Sequence, residues 1–295
     1  MDNDDILVGR LLSRRDAVRL LAVAGAATVA GCSRAKVAST DTASGVVALN
    51  AGDSLAGMPA CVAKPELTVG PYFLDKQLDR SDIRAEPTTG AIKEGAPLAL
   101  AFNISRIDAG GCKPLPNAVV DVWQCDAMGM YSGFNDRMVG FDTTGQTFLR
   151  GFQRTDSAGV ARFTTVYPGW YQGRTVHIHF KIRTESAPNQ AYEFTSQLFF
   201  PESVTDQVHA QAPYASKGRR DMKNAQDGIY RQAGDTLLLS PTKTADGYAA
   251  TFNVGLDLSD AAVGRPDGMG RPGGPGGPPP PGGRRPPPPS RPRAA

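Results

Sequence analysis

The sequence carries no large excess of charge: its formal net charge is +3 over 295 residues. Even that small excess is missing from the middle. Residues 1–36 balance to +2, and residues 264–295, with six arginines against Asp267, to +5, which leaves −4 between them. Nucleic-acid binding wants a basic face, so a slightly acidic middle argues against that class of partner. The ends also lack what a core needs. Residues 33–60 are small and polar and read as a flexible tether. Residues 264–295 are Gly, Pro and Arg with almost nothing apolar. Such a tail cannot bury enough surface to offset its chain entropy and is expected to be disordered. The packed core must come from residues 61–263, long enough for one β-rich domain.

A membrane span is lacking near the N-terminus as well. The apolar stretch 20–30 is too short, and too rich in Ala and Gly, for a stable transmembrane helix. It follows Ser13-Arg14-Arg15-Asp16 and precedes Val29-Ala30-Gly31-Cys32. That order resembles a twin-arginine export signal ending in a lipobox, in which Cys32 would carry a lipid and become the mature N-terminus. Residues 1–32 are therefore expected to be a signal, and the mature chain an exported periplasmic or cell-surface lipoprotein. Twin-arginine export carries folded proteins, often with a metal already loaded. Setting Cys32 aside leaves Cys61, Cys112 and Cys125. An oxidising compartment allows one disulfide among them, and the sequence leaves the pair open.

Short β-branched and aromatic runs bounded by turn residues fill the middle. Strands are expected at 97–104, 118–123, 148–153, 160–167, 176–183, 194–200, 237–239 and 248–254. Asp156-Ser157-Ala158-Gly159 reads as a hairpin turn, and Asp246-Gly247 as another. Segment 203–232 is less apolar and suits one or two short helices. Many short strands at regular spacing predict an all-β fold, a β-sandwich of mostly antiparallel strands with short helical segments and disordered termini.

Histidine is scarce: there are three, and two form His177-Ile178-His179. Residues two apart on a strand face the same side, so both imidazoles can point into one site, as a metal needs. His209 stands apart and receives no role; a solvent-facing side chain is expected there.

The surroundings carry more. Upstream of the histidines lies Tyr167-Pro168-Gly169-Trp170-Tyr171-Gln172-Gly173-Arg174. Before it come Trp123-Gln124-Cys125-Asp126-Ala127-Met128-Gly129-Met130-Tyr131-Ser132 and Arg150-Gly151-Phe152-Gln153-Arg154-Thr155-Asp156. Together with Thr68-Val69-Gly70-Pro71-Tyr72, these segments resemble the intradiol ring-cleavage dioxygenase family, in the right order over roughly residues 61–200.

The resemblance implies a mononuclear non-haem Fe(III) site with Tyr131, Tyr171, His177 and His179 as ligands. Phenolates are hard anionic donors that favour Fe(III), whereas zinc sites prefer Cys, His and carboxylate. It further implies that Arg174 stabilises negative charge developing on the substrate ring, that Gln197 lies beside the metal, that Tyr171 accepts a substrate proton, and that Tyr72 contacts substrate. The implied partners are a catechol-type aromatic diol and O2, and the implied product is a muconate-type dicarboxylic acid. This chain departs from well-known members in having only residues 172–176 between Tyr171 and His177, where they carry a longer insert. It also lacks their long helical N-terminal dimerisation region. It is similar to a shorter, exported branch with a more open pocket, whose diol and oligomeric state the sequence leaves unassigned. An envelope-anchored iron- or aromatic-binding module without catalysis is the alternative reading; Arg174 and Gln197 weigh against it, because a ligand cage alone needs neither.

Overall fold

A computed structural model describes residues 63–260 and 263, apart from 110 and 138. The expected signal, tether and tail, with Cys32 and Cys61, lie outside the described residues. The strands in chain order are β1 (Pro97–Asp108), β2 (Gly111–Pro114), β3 (Val119–Trp123), β4 (Asn135–Asp136), β5 (Phe141–Asp142) and β6 (Arg150–Arg154). They continue with β7 (Val160–Val166), β8 (His177–Ala187), β9 (Gln190–Phe199), β10 (Thr242–Lys243) and β11 (Tyr248–Leu256). Short helices, Glu202–His209 and Gly228–Ala233, fall where the sequence suggested them.

Two sheets form the sandwich. In the first, β1 pairs in parallel with β11, while its other edge takes β7 along its first half and β2 along its second. The second runs β6-β3-β8-β9 and is antiparallel throughout. β4 and β5 make a small separate ribbon.

Alternation of side chains across each strand assigns the faces. Leu98, Leu100, Phe102 and Ile104 of β1 meet Val120 and Val122 of β3 and Ile178, Phe180 and Ile182 of β8 in the main core. The intervening residues of the second sheet, Trp123, His177 and His179 among them, must therefore face away from that core. They are nonetheless buried, because loops cover the outer face of this sheet. That covered outer face is where the candidate site lies.

Three expectations need correction. The turn 156–159 does not close a hairpin, for β6 belongs to the second sheet and β7 to the first. It crosses between the layers, with Asp156 Oδ1 accepting from the Ala158 and Val160 N–H groups. Gly159, at φ +76°, passes so close that a Cβ would lie 2.4 Å from the Ile104 carbonyl. Residues 237–239 are not a strand. Leu237 ends the 3-10 turn Gly234–Leu237, and only an isolated bridge joins Leu238 to Phe199. Three apolar residues in a row, Leu237 and Leu239 buried and Leu238 partly so, read alike in either state. The hairpin signal at Asp246-Gly247 holds, but its upstream arm is β10. The disulfide question narrows: Cys112 is disulfide-bonded and Cys125 is a buried free thiol.

Candidate metal centre

β8 brings the two imidazoles together. His177 Nε2 and His179 Nε2 lie 3.0 Å apart, and the Tyr131 hydroxyl is 3.4 Å from His177 Nε2. Tyr171 closes the group, its ring centroid 5.7 Å from those of both Tyr131 and His177. The four expected ligands are thus brought together as neighbours, although they come from the loop after β3, the loop after β7 and β8 itself.

Their protonation states suit a cation. His177 Nδ1 lies 2.7 Å from the Thr175 carbonyl, which can only accept, so Nδ1 carries the proton and Nε2 presents a lone pair to the site. Burial, with Arg174 nearby, pushes His177 down to about 3; burial and the neighbouring His177 push His179 well below its usual value. Both imidazoles stay neutral. Burial raises the two phenols, Tyr171 to about 12, against the partial relief of the Arg174 charge. A phenol in this setting gives up its proton only where a strong positive charge compensates. No group of three or more His, Cys, Asp and Glu that could hold a metal exists among the described residues. The side chains that stand beside the two histidines are the phenols Tyr131 and Tyr171, a donor set that fits a hard, highly charged ion.

Packing fixes the ligands. Trp123 opposes His179 across the β3–β8 ladder and stacks on it, with centroids 5.0 Å apart and planes at 10°. The segment before β1 also touches the ring. Gly70, at φ +68°, comes so near that a Cβ would meet His179 Cε1 at 3.0 Å. Tyr72 stacks on Tyr131 at 4.2 Å and meets Tyr171 edge-on at 5.9 Å, while its hydroxyl donates to the Asp136 carboxylate. Tyr72 therefore contributes a ring wall, and Asp136 holds its polar end.

Arg174 sits at the centre of a second network. Its Nε donates to Asp227 Oδ2 at 2.8 Å and its Nη2 to Gln197 Oε1 at 2.7 Å. Gln197, fully buried opposite His179 on β9, donates in turn to the Thr68 carbonyl at 3.2 Å. Asp227 also accepts from the Thr175 N–H at 2.9 Å and caps the helix Gly228–Ala233 through Ile229 and Tyr230. One carboxylate so orients both Arg174 and the residue whose carbonyl sets the His177 tautomer.

Sequence reasoning missed Asp227. An Asp before a short helical run signals a cap, but nothing local announces its pairing with an arginine 53 residues earlier. The expectation for His209 is overturned: it is 9% exposed, because its ring reaches the Pro168 carbonyl of the loop after β7 and stacks on Tyr214.

Known proteins resemble this chain. The family model Dioxygenase_C, described as Dioxygenase, matches residues 68–257. The protocatechuate 3,4-dioxygenase beta chain of Burkholderia cepacia is 30% identical over 146 residues, 45% of this chain. The match spans 59% of that relative's length. A solved intradiol ring-cleavage dioxygenase from Tetranychus urticae is 31% identical, with a TM-score of 0.57, over 68% of this chain and 96% of that one.

Proposed function

Since the chain belongs to the intradiol ring-cleavage dioxygenase family, we propose that it opens a catechol-type aromatic diol with O2 between the two hydroxyl-bearing carbons. The product is a muconate-type dicarboxylic acid. The observation that carries this reading is the grouping of two neutral imidazoles and two phenols beside a fixed guanidinium. Tyr131, Tyr171, His177 and His179 would hold Fe(III). When bound, the ferric ion would supply Lewis acidity and a template that orients the diol.

The chain's own residues do the rest. Tyr171 is the base: its oxygen, as phenolate, takes up a proton that the diol loses on binding. Arg174, with its fork fixed by Asp227 and Gln197, places positive charge against the negative charge that develops on the ring. The stacked rings of Tyr72 and Tyr131, with Phe134 edge-on to Tyr72, give a dry aromatic wall that suits a planar substrate.

Oxygen consumption by iron-replete protein tests the proposal. With catechol, hydroxyquinol and protocatechuate offered in turn, at least one is expected to draw one O2 per ring opened. Absence of uptake with every diol would favour the binding module without catalysis.

We propose further that Arg14-Arg15 direct export and that Cys32 anchors the mature chain through a lipid. Cell fractionation is expected to find the Arg14→Lys, Arg15→Lys precursor in the cytoplasm. Cys32→Ala should release the protein from the membrane fraction, and a membrane-bound Cys32→Ala protein would refute the anchor.

A further inference from the structure

We infer that His209, together with Tyr214, is a positioning residue for Tyr171, acting through the main chain of the loop after β7. The inference rests on the reading of Tyr171 as a metal ligand and base, but it concerns residues outside the ligand set. Two consecutive carbonyls of that loop are captured by side chains from the segment that follows β9. The Tyr214 hydroxyl donates to the Tyr167 carbonyl at 2.6 Å, and His209 Nε2 lies 3.0 Å from the Pro168 carbonyl. A carbonyl only accepts, so His209 is the donor and Nε2 carries its proton. Its ring is locked in that pose, stacked on Tyr214 with centroids 5.0 Å apart and planes at 9°. Ala96 N–H, donating to the Tyr214 hydroxyl at 3.0 Å, ties this second donor to the start of β1.

The rest of the loop is held as fully. Tyr167 N–H donates to the Ala96 carbonyl at 2.8 Å and Gly169 N–H to the Asp126 carbonyl at 3.1 Å. The Cys125 thiol approaches the Gly169 carbonyl at 3.5 Å. Every main-chain donor and acceptor from Tyr167 to Gly169 therefore has a partner. Gly169 cannot shift toward the loop after β3 either, since even a Cβ there would lie 2.4 Å from the Ala127 carbonyl. Trp170 and Tyr171 follow directly, so the chain that delivers the phenol leaves a fixed point. A phenol that binds a metal and also takes up a proton has to return to one position, and a fixed chain confines its movement to the side chain. His209 and Tyr214 are the members of this clamp that come from outside the two sheets and their immediate loops, and among the described residues the His209 side chain makes no other hydrogen bond, its Nδ1 being buried without a partner.

The test compares His209→Phe, which keeps a ring against Tyr214 but removes the donor, with His209→Gln, which offers an amide donor. Amide hydrogen exchange at residues 169–174 is expected to rise about three- to tenfold in His209→Phe, the scale of one lost hydrogen bond. Exchange within β8 should not change, and His209→Gln should recover much of the protection. In iron-loaded protein the visible band should weaken or shift in His209→Phe, with kcat falling more than KM changes. Tyr214→Phe, which removes the other donor, should give the same local signature if His209→Phe does not fold. Unchanged exchange at 169–174, or equal loss in the Phe and Gln variants, would overturn the inference. A wild-type protein without a visible band would instead refute the ligand reading, and the exchange data would still decide the role of His209.

Discussion

Arg174→Lys is expected to leave bound iron near the wild-type level and to lower turnover by about 10²–10³-fold, the range for loss of one preorganised electrostatic group. The charge survives that substitution, but its geometry does not. Guanidinium Nε and Nη2 reach two acceptors on different elements, Asp227 after the second half of the chain has folded back and Gln197 on β9. An ammonium on a flexible stem cannot span both in a plane. Gln197 and Asp227 would then each keep a buried polar group with a missing partner, which adds cost beyond the lost contact. Iron assays beside steady-state rates check the separation of binding from turnover; unchanged turnover would make Arg174 a structural ion pair only. Asp227→Asn should reproduce part of the loss, because it keeps the cap but removes the charge that orients Arg174. Burial by itself would raise the Asp227 carboxyl, but the Arg174 charge and the Thr175 and Tyr230 N–H groups outweigh it and hold the carboxyl below its usual range. The stabilisation it gives is therefore present at neutral pH and lost as pH falls through the folded pKa, so Asp227→Asn should flatten the acid limb of the stability profile.

The grouping of these side chains was partly legible in the sequence. The spacing of His177 and His179 places both on one face of a strand, and β8 shows why that face is available: its other residues, Ile178, Phe180 and Ile182, fill the sandwich core. Tyr131, Tyr171 and Gln197 could be singled out only by resemblance, because a tyrosine after a strand says nothing of where its ring goes. The β8–β9 register then puts Gln197 opposite His179. What stayed hidden was long-range and polar. Asp227 and His209 come from the helical segment after β9, where periodicity is weak and each residue reads as an ordinary cap or helix end. The turn 156–159 shows the same limit at the level of the fold. Turn chemistry reveals that the chain reverses, but only packing decides whether the next strand pairs with its neighbour or crosses to the other sheet.

The purified protein is expected to be reddish in air, and this colour tests the metal, its oxidation state and the tyrosines together. A phenolate bound to Fe(III) absorbs visible light by charge transfer from ligand to metal, whereas Zn(II) and a histidine–carboxylate Fe(II) site do not. Anaerobic addition of a catechol should move the band to longer wavelength, since catecholate is the better donor. Tyr131→Phe and Tyr171→Phe should each weaken the resting band. The two are not equivalent in surroundings: Tyr131 is fully buried under Tyr72, while Tyr171 lies beside Arg174, which eases its ionisation. Tyr171→Phe also removes the proposed base, so turnover should fall by about 10²–10⁴-fold, the scale of general-base catalysis. His177→Ala and His179→Ala should act first on occupancy. Each removes a neutral nitrogen donor and leaves the phenols to ionise in a buried site with a weaker metal hold, which their raised pKa values oppose. Iron must be quantified beside each spectrum, because a site that loses one ligand can retain partial occupancy. A colourless protein holding a full equivalent of iron would exclude the two tyrosines as ligands, and a colourless protein holding zinc would remove the basis for ring cleavage altogether.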